Sequence, residues 1–295
     1  MRIRDILSVS EPCFSFEFFP PKTDDGVKAL FDTVSALRSL EPGYVSITYG
    51  AGGSTRTRTI DLVSRIKREL SIEAMAHLTC VGATRDEIGL VLNQLRDAGV
   101  ENVLGLRGDP PKGQAKFEAV EGGFSYASEL LGFIQGSWPF CLGAAGYPEA
   151  HPESTDRYSD LVNLKKKVDA GASFVVTQLF FENSYYFEYV AQARRLGITV
   201  PIIPGIMPVT NVEQIERFTT IIGASIPDRL KRELMQRRND PQSTLEFGVA
   251  FATLQCADLL RRGAPGIHFY TLNKSSATRA IVASLRALQP WRQAA

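Results

Sequence analysis

The chain alternates short apolar runs with amphipathic stretches along nearly its whole length, and this pattern constrains the fold more than any other feature. The run at 14–19 has the length of a buried strand and ends at Pro20 and Pro21, which lack the N–H groups of a strand ladder. Between residues 27 and 37, apolar side chains recur at helical spacing. The predicted strands are 14–19, 44–48, 74–80, 103–106, 140–145, 174–179, 202–206 and 267–272.

About eight strand–helix units without a long linker predict an α/β fold, a parallel (β/α)8 TIM barrel, with residues 1–295 forming one domain. An open, doubly wound sheet built from the same repeats is the alternative. The longest insertion, 224–263, precedes the last predicted strand and is expected to add extra helices to the barrel.

Composition excludes several classes of function. With 33 Lys and Arg against 32 Asp and Glu, the net charge of +1 gives no reason to expect nucleic acid or a membrane as partner. The four cysteines are scattered without a Cys-x-x-Cys pair, which favours a reducing compartment over a disulfide framework and predicts no metal centre. Because the N-terminus lacks an apolar signal core, we expect a cytoplasmic protein.

Polar residues gather where the predicted strands end. Active sites of parallel barrels lie at the carboxyl ends of their strands, so these residues predict a binding site. For any one of them, capping a helix or satisfying a loop is the more ordinary explanation. The group comprises Glu17, Thr48, Tyr49, His77, Thr79, Arg107, Gly108, Asp109, Tyr147, His151, Gln178, Asn273 and Lys274.

Two carboxylates stand out within this group. Glu17 lies between aromatic residues, and apolar surroundings would raise its pKa toward the range useful for a general acid. Strand alternation leaves open that Glu17 instead points into solvent or forms a salt bridge. Asp109 follows Gly108 and precedes two prolines, which suggests either a stiff ligand-binding loop or a turn in which Asp109 bonds its own backbone.

Two further patterns bear on nucleotide binding. The glycine-rich segment at 50–53 follows a strand, but the third glycine of a dinucleotide fingerprint is replaced by Thr55, so a Rossmann site is not predicted. Asp160, Asn163 and Lys167 share one face of a predicted helix. That face is by default solvated, and a ledge for ribose and phosphate groups is the alternative interpretation.

Eight short motifs, each at a predicted strand end, occur in an order that matches a known family. The chain resembles short, catalytic-domain-only methylenetetrahydrofolate reductases along nearly its whole length. The motifs are FSFEFFPP at 14–21, SITYGA at 46–51, AHLTC at 76–80, LRGD at 106–109, YPEAHPE at 147–153, TQ at 177–178, PGIMP at 204–208 and HFYTLN at 268–273.

The resemblance implies a barrel that binds FAD without a Rossmann fold. NADH or NADPH would reduce the flavin, and the oxidised nicotinamide would leave before 5,10-methylenetetrahydrofolate enters. The reduced flavin would then convert this folate to 5-methyltetrahydrofolate. The reaction would serve one-carbon metabolism and methionine biosynthesis. Both substrates would then use one flavin face in a ping-pong reaction. Family habit also implies a homo-oligomer.

The resemblance also assigns roles to residues of this chain. Glu17 resembles the general acid that opens the methylene bridge, and Asp109 the carboxylate that contacts the pterin and adjusts the flavin. The implied substrate contacts are Thr48, Asp109, Gln178, Gln214, Phe218 and Lys274. The implied flavin contacts are Tyr49, Ala51, His77, Arg107, Gly108, Asp109, Tyr126, Tyr147, His151, Asp160, Asn163, Lys166 and Lys167.

Some positions depart from relatives. Lys274 and Lys166 stand where some members have arginine, and lysine keeps the charge but loses the bidentate fork.

Three other functions compete on the same scaffold. A zinc-dependent methyltransferase would need clustered late cysteines where only Cys256 is present, and a non-catalytic folate- or flavin-binding module or a flavin-independent reductase is also conceivable.

Overall fold

The computed structural model describes residues 1–9, 11–49, 56–110, 113 and 116–292, and its centre is a parallel β-barrel. Strands β1 to β7 pair in parallel in chain order, β8 pairs in parallel with β9, and β9 pairs in parallel with β1. The strands are β1 Cys13–Phe18, β2 Tyr44–Ile47, β3 Ala74–Thr79, β4 Asn102–Leu106, β5 Cys141–Gly146, β6 Ala172–Thr177, β7 Ile202–Ile203, β8 Gly205–Ile206 and β9 Gly266–Tyr270.

The barrel closes through β7 and β8, which are two halves of one strand position separated by Pro204. β7 pairs only with β6, and β8 pairs only with β9. Proline lacks an N–H group and so interrupts the ladder to β6. The Thr177 hydroxyl then accepts the next N–H, from Gly205, at 2.9 Å. The expected barrel is therefore confirmed, with eight strand positions, and the open doubly wound sheet is excluded.

Helices follow most strands and cover the outside of the barrel. Several begin at side chains that accept backbone N–H groups, such as Thr23, Thr84, Asn211 and Asp240. The helices are α1 Ile3–Ile6, α2 Asp24–Arg38, α3 Arg56–Leu70, α4 Arg85–Asp97, α5 Ala127–Ser137, α6 Arg157–Asp169, α7 Asn183–Arg195, α8 Val212–Ile222, α9 Asp228–Arg237, α10 Pro241–Arg261 and α11 Ser276–Leu288. Among the described residues, no helix combines the length and apolar character needed to cross a bilayer.

Strand alternation divides the core into two layers. Phe14, Phe16 and Phe18 of β1 point outward and pack with the helices, in the largest apolar cluster. The inside of the barrel is filled by a second cluster that includes Tyr44 and Phe174. Because successive side chains of a strand face opposite ways, Ser15 and Glu17 of β1 point into the barrel.

The amino-terminal end of the barrel is closed by α1. Its Ile3 is fully buried in the inner cluster. The Asn102 amide fastens the segment, because its Oδ1 accepts from Ile3 N at 2.8 Å and its Nδ2 donates to Met1 O at 3.0 Å. The inner cluster and α1 block this end, so a ligand must approach from the carboxyl ends of the strands.

The predicted strands agree with the observed ones to within one or two residues at most ends. The main difference is the strand expected at 202–206, which Pro204 divides. The extra helices expected at 224–263 are present as α9 and α10.

Helix α10 packs against the segment that leads from β8 into α8, and glycine makes this contact possible. A Cβ atom on Gly248 would lie 1.8 Å from the carbonyl oxygen of Val209. We expect Gly248→Ala to lower the free energy of unfolding by about 1–3 kcal/mol, because the helix must move away. Denaturant unfolding of the purified variant measures this change.

Gly132→Ala is the matched control, since Gly132 also lies inside a helix. The nearest atom to its added Cβ would be that of Ala170, at an ordinary 4.0 Å. This variant should be as stable as wild type or up to about 1 kcal/mol more stable, because alanine restricts the unfolded chain. Equal stability losses in both variants would contradict the packing argument.

Candidate active site

Glu17 is held inside the barrel mouth by two imidazoles. Its Oε2 lies 3.3 Å from Nε2 of His268 on β9 and 3.4 Å from Nε2 of His77 on β3. The glutamate is only 8% exposed, and both histidines are buried. Of the two readings left open by the sequence, the structure shows the partnered one: the carboxylate is buried and held between the two histidines.

The electrostatic surroundings of Glu17 differ from the expectation of a raised pKa. Burial by itself raises the pKa of this carboxyl, but the neighbouring His77 and His268 outweigh burial and bring the pKa below its usual value. Burial in turn lowers the pKa of His77, which favours its neutral form. The expectation was wrong because aromatic neighbours in sequence lie on the outer face of β1, whereas the inner face supplies imidazoles.

A chain of polar groups continues from Glu17 into the barrel. Ser15 Oγ and His268 Nδ1 share a hydrogen bond of 2.8 Å. If the hydroxyl donates to Nδ1, the imidazole proton is on Nε2 and points to Glu17, so one tautomer satisfies both contacts. Neither Ser15 nor His268 was predicted as a site residue. The signal was present, because Ser15 and Glu17, like His268 and Tyr270, alternate on one strand face.

The end of β4 supplies a guanidinium group. Arg107 forms a bidentate ion pair with Glu153, with Nη1–Oε2 and Nη2–Oε1 distances of 2.6 and 2.7 Å. This pairing lowers the pKa of Glu153. The next residue, Gly108, has φ of +89° and could not carry a Cβ, which would lie 2.5 Å from Val81. Glu153 was not identified from the sequence as a functional residue.

Helix α6 carries a lysine and an aspartate whose side chains are largely withdrawn from solvent. Lys167 Nζ donates to the carbonyl of Ala145 at 2.6 Å, and Asp160 accepts from the Ser154 hydroxyl at 3.2 Å. Burial lowers the pKa of Lys167 to about 8 and raises that of Asp160. A solvated helix face, the default interpretation of this pattern, is therefore wrong for these two residues.

Tyr147 and His151 lie beside this pair. Their rings meet edge to face with centroids 4.7 Å apart, and Lys167 Nζ is 5.9 Å from the Tyr147 ring. Burial and the nearby charge of Arg107 lower the pKa of His151. The structure thus brings Arg107, Tyr147, His151, Asp160 and Lys167 to one side of the barrel mouth.

The other predicted flavin contacts that the structure describes are half-buried or exposed to solvent. Asn163 and Lys166 are exposed on α6 and bond to each other at 3.1 Å. Tyr126 is exposed at the start of α5, and Tyr49 is half-buried after β2. Ala51 lies outside the described residues.

The predicted substrate contacts come from different elements. Thr48 follows β2, and its N–H donates to Phe18 O at 2.9 Å, beside the end of β1. Gln178 follows β6. Gln214 and Phe218 are one turn apart on α8, and Phe218 packs against an apolar cluster that includes Leu179, just after β6. This packing against a residue just after β6 places α8 at the barrel mouth.

Asp109 and Lys274 are exposed at the ends of β4 and β9. A turn closed by the Asp109 side chain on its own backbone would involve residues 111 and 112, which do not belong to the residues that the structure describes. Among the described residues, no three His, Cys, Asp or Glu side chains are grouped to hold a metal ion, and Cys256 is buried in α10.

These residues fit a flavin dinucleotide. The buried His77 Nε2 forms no hydrogen bond with the described residues, although it faces the Glu17 carboxylate. Arg107 and Lys167 offer the positive charge that a diphosphate needs, and Asp160 offers an acceptor for ribose hydroxyls.

Comparison with known proteins identifies the family of the chain. The family model described as methylenetetrahydrofolate reductase matches residues 2–286. The chain belongs to this family. It is 39% identical to methylenetetrahydrofolate reductase (NADH) 1 of Arabidopsis thaliana, over 100% of this chain and 53% of that protein. It is 38% identical to 5,10-methylenetetrahydrofolate reductase of Salmonella typhimurium, over 92% of this chain and 90% of that protein.

The chain therefore spans about half the length of its plant relatives in the family and most of the bacterial one.

Solved structures share the fold at low identity. A Clostridium thermocellum protein that binds two copies of 5-methyl-5,6,7,8-tetrahydrofolic acid aligns with a TM-score of 0.64 at 17% identity, over 98% of this chain and 99% of that one. Dihydropteroate synthase from Xanthomonas albilineans aligns with a TM-score of 0.52 at 14% identity, over 95% and 94%.

The lowered pKa of Lys167 predicts a pH-dependent stability. Its folded-state value of about 8 lies below the roughly 10.4 of an unfolded lysine, so the folded protein holds fewer protons between these values. Stability contributed by this group therefore rises with pH across that window. We expect wild type to gain up to about 3 kcal/mol relative to Lys167→Met between pH 7.5 and 10.5.

Denaturant unfolding of both proteins across this pH range measures the difference. Lys166→Met removes one positive charge from the same helix at an exposed position and controls for net charge. A constant difference between wild type and Lys167→Met at all pH values would show that the folded protein does not lower the pKa of Lys167.

Proposed function

We propose that the protein is an FAD-dependent reductase that converts 5,10-methylenetetrahydrofolate to 5-methyltetrahydrofolate with NADH or NADPH. The observation that carries the proposal is Glu17, a buried carboxylate held between two imidazoles at the mouth of a barrel of this family. The Arabidopsis relative has NADH in its name, which supports a reduced nicotinamide as donor.

The flavin would be held by the residues on the β4–α6 side of the mouth. Arg107 and Lys167 would bind its diphosphate, and Asp160 its ribose hydroxyls. When bound, FAD would supply hydride transfer between the reduced nicotinamide and the folate. Glu153 already orients Arg107 by two hydrogen bonds, so the guanidinium is fixed before a ligand arrives.

Glu17 would supply the proton for opening the methylene bridge of the folate. In the structure its lowered pKa favours the carboxylate. A substrate that covers Glu17 removes its remaining contact with water, and further burial raises the pKa of a carboxyl group. Glu17 would then be protonated at the position where the leaving nitrogen of the folate needs a proton.

The remaining residues would position the folate. Gln178 and Gln214 would offer amide groups to the pterin, and Phe218 on α8 would stack on either substrate. Asp109 would contact the pterin, and Thr48 the nicotinamide. Lys274, exposed after β9, would pair with a carboxylate of the folate tail. The same fold binds 5-methyltetrahydrofolic acid in the Clostridium thermocellum protein.

Glu17→Gln removes the proton and nearly preserves the shape of the side chain. Hydride transfer from nicotinamide needs no acid, so flavin reduction should stay within several-fold of wild type. Reoxidation by methylenetetrahydrofolate needs the proton and should fall by about a hundredfold or more. Stopped-flow flavin absorbance measures the two half-reactions separately.

Two controls accompany this experiment. Glu41→Gln changes an exposed glutamate that pairs with Arg286, just before β2 at the opposite end of the barrel, and should leave both half-reactions unchanged. Flavin released on denaturation is identified to confirm loading with FAD. The proposal fails if folded wild type takes up no FAD, and the acid role fails if Glu17→Gln retains the folate half-reaction.

Lys274→Ala should weaken use of the folate more than use of the nicotinamide. An exposed ion pair contributes about 1 kcal/mol or less, so KM for methylenetetrahydrofolate should rise several-fold. Lys274→Arg keeps the charge and should stay near wild type. Steady-state kinetics with each substrate varied checks this, and equal damage to both substrates would indicate a structural role.

A further inference from the structure

The turn after β9 adopts a backbone that its residues do not favour. Leu272 and Asn273 have φ values of +51° and +60°, so two consecutive non-glycine residues are left-handed. Asparagine tolerates this region, but leucine does so rarely. Such a conformation persists only where surrounding contacts hold it in place, and such contacts are common at functional sites.

The side chains of Asn273 and Thr271 fasten this turn to the end of β1. Asn273 Oδ1 accepts from the N–H of Phe19 at 2.8 Å, and its Nδ2 donates to the carbonyl of Phe19 at 2.9 Å. The hydroxyl of Thr271 donates to the carbonyl of Glu17 at 2.6 Å and accepts from the N–H of Asn273 at 3.2 Å. These side chains extend the β1–β9 ladder beyond its last backbone pair, Glu17 with Tyr270.

The ladder extension links two residues that the proposed function uses separately. On one side it fixes the main chain of Glu17 and of Phe19, two residues later. On the other side it fixes the residue before Lys274, whose own N–H donates to the carbonyl of Thr271 at 3.0 Å. The acid and the tail-binding ammonium thus share one rigid connection.

We propose that Asn273 is a positioning residue for the folate half-reaction. By fixing the main chain at the end of β1, it orients the Glu17 carboxylate toward the folate. By fixing the turn after β9, it also sets the distance between Glu17 and Lys274, which would bind the folate tail. This inference rests on the proposed function, because both residues act on the folate. The nicotinamide half-reaction uses neither residue and does not depend on the ladder extension.

The chain contains a matched control for a purely structural amide clamp. Asn102 also accepts from one backbone N–H and donates to one backbone carbonyl, but it does so at the amino-terminal end of the barrel, and its Nδ2 donates in addition to Glu73 Oε1 at 3.0 Å. Asn102→Ala therefore removes at least as many hydrogen bonds as Asn273→Ala, far from the carboxyl ends of the strands where ligands would bind. Differences between the two alanine variants separate positioning from general stability.

The experiment measures thermal unfolding, bound FAD and both half-reactions for the FAD-loaded proteins. Asn273→Ala should slow flavin reoxidation by methylenetetrahydrofolate about tenfold or more, since small displacements of catalytic groups are costly. Flavin reduction by nicotinamide should stay within about twofold. Asn102→Ala should lower the unfolding temperature and leave the ratio of the two half-reactions at the wild-type value.

A double variant tests whether Asn273 acts through Glu17. In the Glu17→Gln background the acid is already lost, so adding Asn273→Ala should slow reoxidation by much less than tenfold. Full additivity, or equal slowing of both half-reactions by Asn273→Ala alone, would overturn the inference while leaving the reductase itself standing. A wild-type protein unable to reoxidise with the folate would instead overturn the proposed function and the inference together.

Discussion

The parallel pairing of β1 with β9 is the constraint on which the site depends. It brings Glu17, near the start of the chain, beside His268, which lies 251 residues later. The same pairing closes the barrel and directs the chain into the turn that carries Lys274. The barrel and the candidate site therefore depend on the same strand pairing, since the ladder that closes the barrel also places Glu17 beside His268.

Glu17 and Lys167, two ionisable groups at the barrel mouth, have different partners for their charge. Glu17 is partnered locally, because its carboxylate lies 3.3 and 3.4 Å from two imidazoles. Lys167 keeps a cost of burial that its bond to the Ala145 carbonyl does not remove, as its lowered pKa shows. A locally balanced group suits proton transfer, whereas an unbalanced cation retains attraction for an anionic ligand.

The strand series, the barrel and the added helices could be predicted from sequence because hydrophobic periodicity reports burial directly. The break at Pro204 could be anticipated only in part, since proline ends a ladder but does not tell which neighbour takes over the pairing. The motifs located Glu17, but its surroundings depended on His268, a contact that no local pattern reveals. Glu153 was missed for the same reason, because its partner Arg107 is 46 residues away.

The pairing of β1 with β9 also has a consequence for the order in which the barrel forms. β1 is complete by residue 18, but its second neighbour begins only at residue 266. During synthesis one edge of β1 therefore stays open until almost the whole chain has emerged, and an open edge is a hazard for mispairing. Glu17 gains its second imidazole at that same late moment, so the nascent chain acquires the site only as the barrel shuts.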